Sequence, residues 1–507
     1  MGTRIRWVTV AATLVVLAAA CSSGNQEGSA ATTTVVPAGA PVEVTDHADD
    51  WVLPGHDYDN SRTASGSTID AANVHSLAPA WRFEVQGGLS TVPLIVGDTI
   101  YVQAGSGRIS AIDRETGKAR WESAPYGLNI GPFGVAVADG KVFGMHGSKG
   151  VVALDATTGA ELWTRDITAT PTTGIDIQPV VYDGLVLVST VPVSIGGIYT
   201  GGDRGVINAL DATTGEVRWT FDTVLGEDVW GNSAVNSGGG SWYPPSVDTE
   251  RGLVLWGVAN PAPFPGTPEF PNGSSRPGPN LYTDSTVALD VHTGELKWFH
   301  QVHPHDIFDR DLVHTLIARP PGGPAVDIAT GKGGVVVGLD PDSGDELWRT
   351  PVGHHENDDL TELSGPTLVA PGTYGGVITP PATADGVVFV ASNDMPVTLE
   401  PNKTAYFGAQ PGQNDGSVVA VGVADGGIKW QTTVPGDPFG GVVVVNDLVI
   451  TATLQGMIVA LDRETGDIAW QETAPGGING WMSVAGDMLV VPVGSASPAV
   501  VVAYRLP

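Results

Sequence analysis

Ala111-Ile112-Asp113-Arg114-Glu115-Thr116-Gly117-Lys118-Ala119-Arg120-Trp121 reads as the end of an apolar strand, a tight turn, and a second strand that ends on a large ring. The same pattern, A-x-D-x-x-T-G-x-x-x-W, returns at Ala153–Trp163, Ala209–Trp219, Ala288–Trp298 and Ala460–Trp470. Two weaker copies have Gly338 before Asp340 and Trp348, and Ala420 before Asp425 and Trp430. An eighth tryptophan, Trp81, follows Asn73-Val74-His75-Ser76-Leu77 without the turn. Each residue type has a physical task. Asp and Thr side chains accept from and cap turn amides, and Gly supplies a positive φ. The indole then points at a neighbouring repeat, where a flat apolar face closes a seam.

Internal repetition of this kind decides architecture before anything else does. The intervals between the eight tryptophans are 40, 42, 56, 79, 50, 82 and 40 residues. About 40 residues make one four-stranded blade. The longer intervals therefore carry loops near 240–280 and 355–410. One such unit buries little surface alone, so the units must stack, and radial stacking of small sheets gives a propeller. The expected fold is all-β: an eight-bladed β-propeller with tryptophan-docking repeats over residues 45–507. The segment after Trp470 is expected to pair with the Trp81 region and close the ring.

Bulk composition agrees. Of 507 residues 42% are hydrophobic, as in a globular chain, and 68 Gly with 38 Pro suit many short strands and turns. Lys+Arg number 24 against 55 Asp+Glu, a net charge of −31. Such a charge repels nucleic acid and anionic headgroups. Cys21 is the only cysteine. Disulfides, iron–sulfur clusters, cysteine-held zinc and c-type haem are thereby excluded from the propeller.

The N-terminus reads as an address. Arg4 and Arg6 precede an uncharged apolar run, Val8–Ala20. That run is too short for a membrane span and suits a signal peptide over residues 1–20. Leu17-Ala18-Ala19-Ala20-Cys21 resembles a bacterial lipobox, which implies cleavage before Cys21 and lipidation of its thiol. Residues 21–44, rich in Ser, Thr, Ala, Gly and Pro, read as a flexible tether. The expected location is extracytoplasmic, with a lipid anchor to the bacterial cell membrane as the only membrane attachment.

The repeats resemble those of pyrroloquinoline quinone (PQQ)-dependent alcohol dehydrogenases, and the resemblance extends over about residues 50–507. The opening Trp51-Val52-Leu53-Pro54-Gly55-His56-Asp57-Tyr58-Asp59-Asn60-Ser61-Arg62 is similar to that family's first segment. Gly238-Gly239-Gly240-Ser241-Trp242 resembles the glycine-rich approach to the tryptophan on which the quinone stacks. Asn260-Pro261-Ala262-Pro263-Phe264 resembles the loop whose Asn binds the metal. Arg276-Pro277-Gly278-Pro279-Asn280 resembles R-P-G-D-N, with Pro279 in place of Asp. His305-Asp306-Ile307-Phe308-Asp309-Arg310-Asp311 resembles the segment of the catalytic base. The resemblance implies Asp309 as that base and as a metal neighbour. It implies Asp311 as the further carboxylate of lanthanide-using members. Lys332, before Gly333 and Gly334, matches the cation that pairs with base and quinone.

The implied chemistry needs these residue types. An indole face clamps a flat quinone. A hard cation, Ca²⁺ or a lanthanide, held by Asn260, Asp309 and Asp311 polarises the reactive carbonyl. A carboxylate takes the hydroxyl proton while hydride moves to the quinone. Electrons must then pass to a separate acceptor. The expected substrate is an alcohol, polyol or sugar hydroxyl. The resemblance lapses elsewhere: Thr200 stands near the metal-binding Glu, Phe133 near a quinone-facing Arg and Asp176 near a quinone-contacting Thr, and the vicinal cysteine pair is absent. A non-catalytic propeller lipoprotein, acting as assembly scaffold or binding module, is therefore the rival expectation. His303 and His305 form a further candidate pair for a transition metal. His354–Asp359 reads as a polar surface loop.

Overall fold

The computed structural model describes residues 37–129, 131–193, 199–403 and 411–507. Within them the strands form eight four-stranded antiparallel sheets. Blade 1 runs from Leu94–Val96 to Ala119–Glu122, blade 2 from Ala136–Ala138 to Glu161–Asp166, and blade 3 from Val180–Tyr182 to Val217–Asp222. Blade 4 runs from Ser246–Asp248 to Leu296–Gln301, and blade 5 from His314–Ala318 to Glu346–Pro351. Blade 6 runs from Ala382–Ala384 to Ile428–Val434, and blade 7 from Val442–Val445 to Ile468–Thr473. Blade 8 takes three strands from Ser483 to Arg505, and its outer strand is Ala78–Val85. Trp81 pairs with Ala503, so the two ends of the chain share a sheet as expected.

The repeat pattern explains the seams. In blade 1 the Asp113 carboxylate accepts from the Thr116 amide and hydroxyl, and Gly117 takes φ +67°. Seven indoles each donate to a backbone carbonyl of the next blade's turn, from Trp81 to Arg114 through Trp430 to Arg463. Each of these seven rings lies on the turn glycine of the next blade. A Cβ added at Gly344, for example, would lie 2.5 Å from Trp298. Across its own sheet each tryptophan faces a small residue, such as Ala111 opposite Trp121 and Gly338 opposite Trp348. A register shift follows immediately in seven blades, at Ala209/Leu210 for instance. The extra residue twists the strand and sets the indole against the neighbour instead of into solvent.

The opening segment ties the ring together. Inner strands are sheet edges and need partners for their exposed amides. Residues 51–62 supply them: Trp51, Tyr58, Asp59, Ser61 and Arg62 carbonyls accept from Ile95, Val247, Ile317, Thr383 and Val444, which belong to blades 1, 4, 5, 6 and 7. The Tyr58 hydroxyl donates to Val181 of blade 3. Arg62, fully buried, donates to the carbonyls of Val442, Pro54 and Met482.

Residues 37–44, the last of the expected tether, belong structurally to the propeller. Ala40 and Val44 pack on its core, and Glu43 of a one-turn helix, Val42–Asp46, accepts from the amides of Asp139 and Gly140. The expected signal peptide and Cys21 lie outside the described residues. Among the described residues no helix is long and apolar enough to cross a membrane.

Candidate active site

Strands alternate in direction, so connections alternate between the two faces of a blade. The Asp-Thr-Gly turns share one face with the short hairpins between first and second strands. The blade-to-blade connections and the loops between second and third strands share the other. Every residue implied by the resemblance lies in connections of that second kind. Trp242 precedes blade 4, Asn260 follows its second strand, Asp309 and Asp311 precede blade 5, and Lys332 sits in that blade's central hairpin. All five line one cavity of about 340 Å³, together with Asp176, Tyr199, Thr373 and Tyr374. The convergence expected from sequence is present.

Trp242 forms part of the wall and is backed by other rings. Its centroid is 4.5 Å from that of Tyr243, which lies 5.3 Å from Trp481 and 4.0 Å from His314. These groups and Arg62 surround a void of only about 20 Å³ behind the indole. The Trp242 face is thus braced. The Lys332 ammonium lies 5.3 Å from the centre of that ring, a cation–π distance.

Lys332 holds the two acids. Its Nζ is 3.0 Å from Asp309 Oδ2 and 2.6 Å from Asp311 Oδ2, and all three side chains are nearly buried. The Asn260 backbone N–H donates to Asp311 Oδ1 at 2.8 Å, which joins the blade 4 loop to the blade 5 approach. Asp309 and Asp311 both have positive φ, 66° and 32°. Such conformations cost energy in a non-glycine residue and persist only where neighbours over-determine them. Here Asp306 does so: its carboxylate accepts from the amides of Phe308 and Arg310 at 2.8 Å each. Arg276, fully buried, donates in turn to the Asp306 and Pro263 carbonyls and to Asn280 Oδ1. The Arg276-Pro277-Gly278-Pro279-Asn280 segment is therefore a strut beneath the site. Gly331 completes the approach, since a Cβ there would fall on the Asp311 carbonyl.

Electrostatics set the site apart from a structural ion pair. Burial pushes the Asp309 carboxyl well above the usual carboxylate range; Lys332 opposes the rise and Asp311 adds to it. For Lys332, burial favours the neutral amine, but Asp309 and Asp311 more than offset it and hold the ammonium well above its ordinary value. Asp176 is pushed up to about 8, by burial first and by the Asp311 charge second. Perturbed acids of this kind gathered in one cleft are a mark of function. Lys332 is the one cation among the described lining residues, set against three acids.

The two metal expectations fare differently. The metal set of Asn260, Asp309 and Asp311 is assembled, but Lys332 lies between the carboxylates. Among the described residues no group of three His, Cys, Asp or Glu could hold a metal by itself. A cation here would need the Asn260 oxygen and atoms of a bound ligand as well. His303 and His305 do not meet on a metal. His303 faces the Arg310 guanidinium at 3.2 Å, and His305 contacts the Gly278 and Asn272 carbonyls. Asp176 was not among the expected site residues. Its signal was the alternation Ile175-Asp176-Ile177, which buries the two isoleucines and turns the acid the other way.

Known proteins point the same way. Residues 168–326 match the family model described as glucose/ethanol/alcohol dehydrogenase, β-propeller domain (PQQ). Residues 50–192 and 414–503 match the one described as outer membrane protein assembly factor BamB. The chain is 29% identical over 416 residues to a quinohemoprotein alcohol dehydrogenase of Comamonas testosteroni, covering 72% of this chain and 57% of that protein. It is 28% identical over 502 residues to the putative dehydrogenase XoxF of Paracoccus denitrificans, covering 81% and 80%. The solved quinohemoprotein alcohol dehydrogenase ADHIIG of Pseudomonas putida HK5 superposes with a TM-score of 0.78 at 22% identity, covering 93% of this chain and 83% of that one. The chain spans little more than half the length of the first relative. The dehydrogenase match holds Trp242, Asn260, Asp309 and Asp311; Asp176 lies in both matches and Lys332 in neither. The chain is an eight-bladed β-propeller whose repeats and site resemble those of PQQ-dependent alcohol dehydrogenases.

Proposed function

We propose that the protein is an oxidoreductase that oxidises the hydroxyl of an alcohol, polyol or sugar outside the cytoplasm, with PQQ and Ca²⁺ or a lanthanide in the cavity. The observation that carries this reading is the meeting of Trp242, Asn260, Asp309, Asp311 and Lys332 on one cavity. The residues present fit these groups. The volume is within the ~300–1,000 Å³ common for small-molecule sites. The braced indole offers a flat apolar face. Asp309, Asp311 and the Asn260 side chain offer hard oxygen donors of the kind such a cation takes.

Trp242 would carry the flat ring, and Asn260 with Asp309 and Asp311 would hold the cation. PQQ, when bound, supplies the acceptor for the hydride from the substrate carbon. The Asp309 carboxylate takes the hydroxyl proton. Its raised proton affinity brings it closer to the working pH, where a general base is most effective. The Lys332 ammonium stabilises negative charge beside it. The propeller has no cysteine to attach a haem, so electrons leave to a separate acceptor. Lipidation at Cys21 would keep the domain at the outer surface of the membrane.

Reconstitution with PQQ and Ca²⁺ or La³⁺, followed by dye reduction with an alcohol panel, tests the reading. Asp309→Ala is expected to lower turnover by ~10²–10⁴-fold. Full turnover in that variant would remove Asp309 from the role. A protein that takes up no quinone with either metal would favour the scaffold, which the assembly-factor match also supports.

A further inference from the structure

A second hollow lies on the face that holds the catalytic cavity. It is an open groove of about 350 Å³ beside the outer strand of blade 3. Its walls come from three connections of that face: Arg204 within blade 3, Asp222–Glu227 on the way to blade 4, and Tyr282 within blade 4. Backbone bonds lock these connections together. The Thr223 carbonyl accepts from the Tyr282 amide, and the Leu281 carbonyl from the Leu225 amide, at 2.8 Å each. The Arg204 guanidinium donates to Asp222 Oδ2 at 2.8 Å and to the Gly226 and Glu227 carbonyls at 3.4 Å. The Arg204 backbone also pairs with Gly238, which lines the catalytic cavity, so a wall of paired backbone lies between the two hollows.

The groove offers two kinds of surface. One is aromatic: the Phe221 ring lies 5.7 Å from Tyr282, which lies 4.9 Å from Phe299, and Leu225 beside them is 53% exposed. The other is polar: Asp222 and Glu227 present exposed carboxylates, Tyr282 a hydroxyl, and Arg204 the remainder of its N–H fork. Together they narrow the ligand. Asp222 already pairs with Arg204 and Glu227 adds a further negative charge, which disfavours an anion, as does the net charge of −31. Among the described residues no three acids converge to hold a metal. A purely apolar ligand would strip water from the carboxylates and the guanidinium without replacing its bonds. A neutral ring with C–H groups on its face and hydroxyls around its edge suits both surfaces. Its face lies on the aromatic rings, and its hydroxyls bond the carboxylates and the guanidinium. The volume is within the ~300–1,000 Å³ common for such ligands.

We propose that this groove is a carbohydrate-binding site, which holds a neutral sugar ring of an oligosaccharide on the face that carries the catalytic cavity. Tyr282 with Phe221 forms the platform, and Glu227 and Arg204 read the hydroxyls. Binding needs no quinone. Its consequence rests on the dehydrogenase reading: an oligosaccharide held here raises the local concentration of sugar hydroxyls beside the cavity.

The test is isothermal titration calorimetry of the protein without PQQ, using cellotetraose, maltotetraose and, as a control without a ring, glycerol. Thermal melts confirm that each variant is folded. At least one tetraose is expected to bind with a Kd of about 1 mM or tighter, and glycerol not to bind. Tyr282→Ala and Glu227→Ala are each expected to weaken that binding about fivefold or more. Glu227 is exposed, so its variant carries the test even where Tyr282→Ala does not fold. Asp309→Ala is expected to bind the tetraose like wild type. The assignment is overturned if neither tetraose binds, or if either folded groove variant binds like wild type. It is also overturned if Asp309→Ala abolishes binding, which would place the sugar in the catalytic cavity. A dimer in sedimentation that Leu225→Arg breaks would overturn it too, since a second copy would then cover the groove. Alcohol oxidation without tetraose binding removes this site alone. Tetraose binding without quinone uptake removes the dehydrogenase reading and leaves this site standing.

Discussion

Asp309 and Lys332 show how one ion pair can serve two ends. The pair neutralises a buried acid, yet the acid keeps a raised proton affinity because burial and Asp311 outweigh the lysine. A base must be ionised to work, so activity should fall as the pH drops, along a limb that lies above the ordinary carboxylate range. Lys332→Gln removes the one influence that lowers this proton affinity. The limb should then move to higher pH, and kcat/KM at neutral pH should fall ~10²-fold. A pH profile of kcat/KM with an unchanged acid limb would separate Lys332 from the base. Trp242, Asn260, Asp309, Asp311 and Lys332 were legible because each sits in a short linear motif. The Arg276–Asp306 strut was not, because its bonds join loops 30 residues apart. Asp176 escaped for another reason: a motif comparison sets a threonine there, and only the buried neighbours reveal which way the acid points.

At the scale of the element, the strand–turn–strand unit carries most of the stability argument. Turn and indole were both readable from A-x-D-x-x-T-G-x-x-x-W, since each acts locally. The register shift beside the alanine was not, although it is what aims the ring. Trp298 is nearly buried, donates to Pro341 and covers Gly344. Trp298→Ala should cost about 3–5 kcal/mol in denaturant unfolding. Gly344→Val should also destabilise strongly, because φ is +75° there and the new Cβ would meet Trp298. Loss of under 1 kcal/mol in either would mean that the seam relaxes more easily than its packing implies.

For the whole molecule, one closed ring replaces the two or three domains that the chain length allows. Ring closure was legible because a lone tryptophan at 81 lacked its turn. The tie formed by residues 51–62 was not, since it has no periodicity and bonds six of the eight blades. Arg62→Ala would leave the Val442, Pro54 and Met482 carbonyls without their buried donor. It should lower stability by about 3 kcal/mol and loosen the wall behind Trp242, seen as weaker near-ultraviolet dichroism. An unchanged melting curve would show that the tie is dispensable.

The central claim is that one cavity gathers an indole plate, a carboxylate base and a place for a cation. A crystal structure of the protein grown with PQQ and Ca²⁺ or La³⁺ tests it most directly. The account predicts quinone density stacked on Trp242, with the cation against the Asn260 oxygen and the Asp309–Asp311 carboxylates. Quinone bound on another surface, or an unaltered Lys332–Asp309–Asp311 cluster with an empty cavity at saturating cofactor, would contradict it.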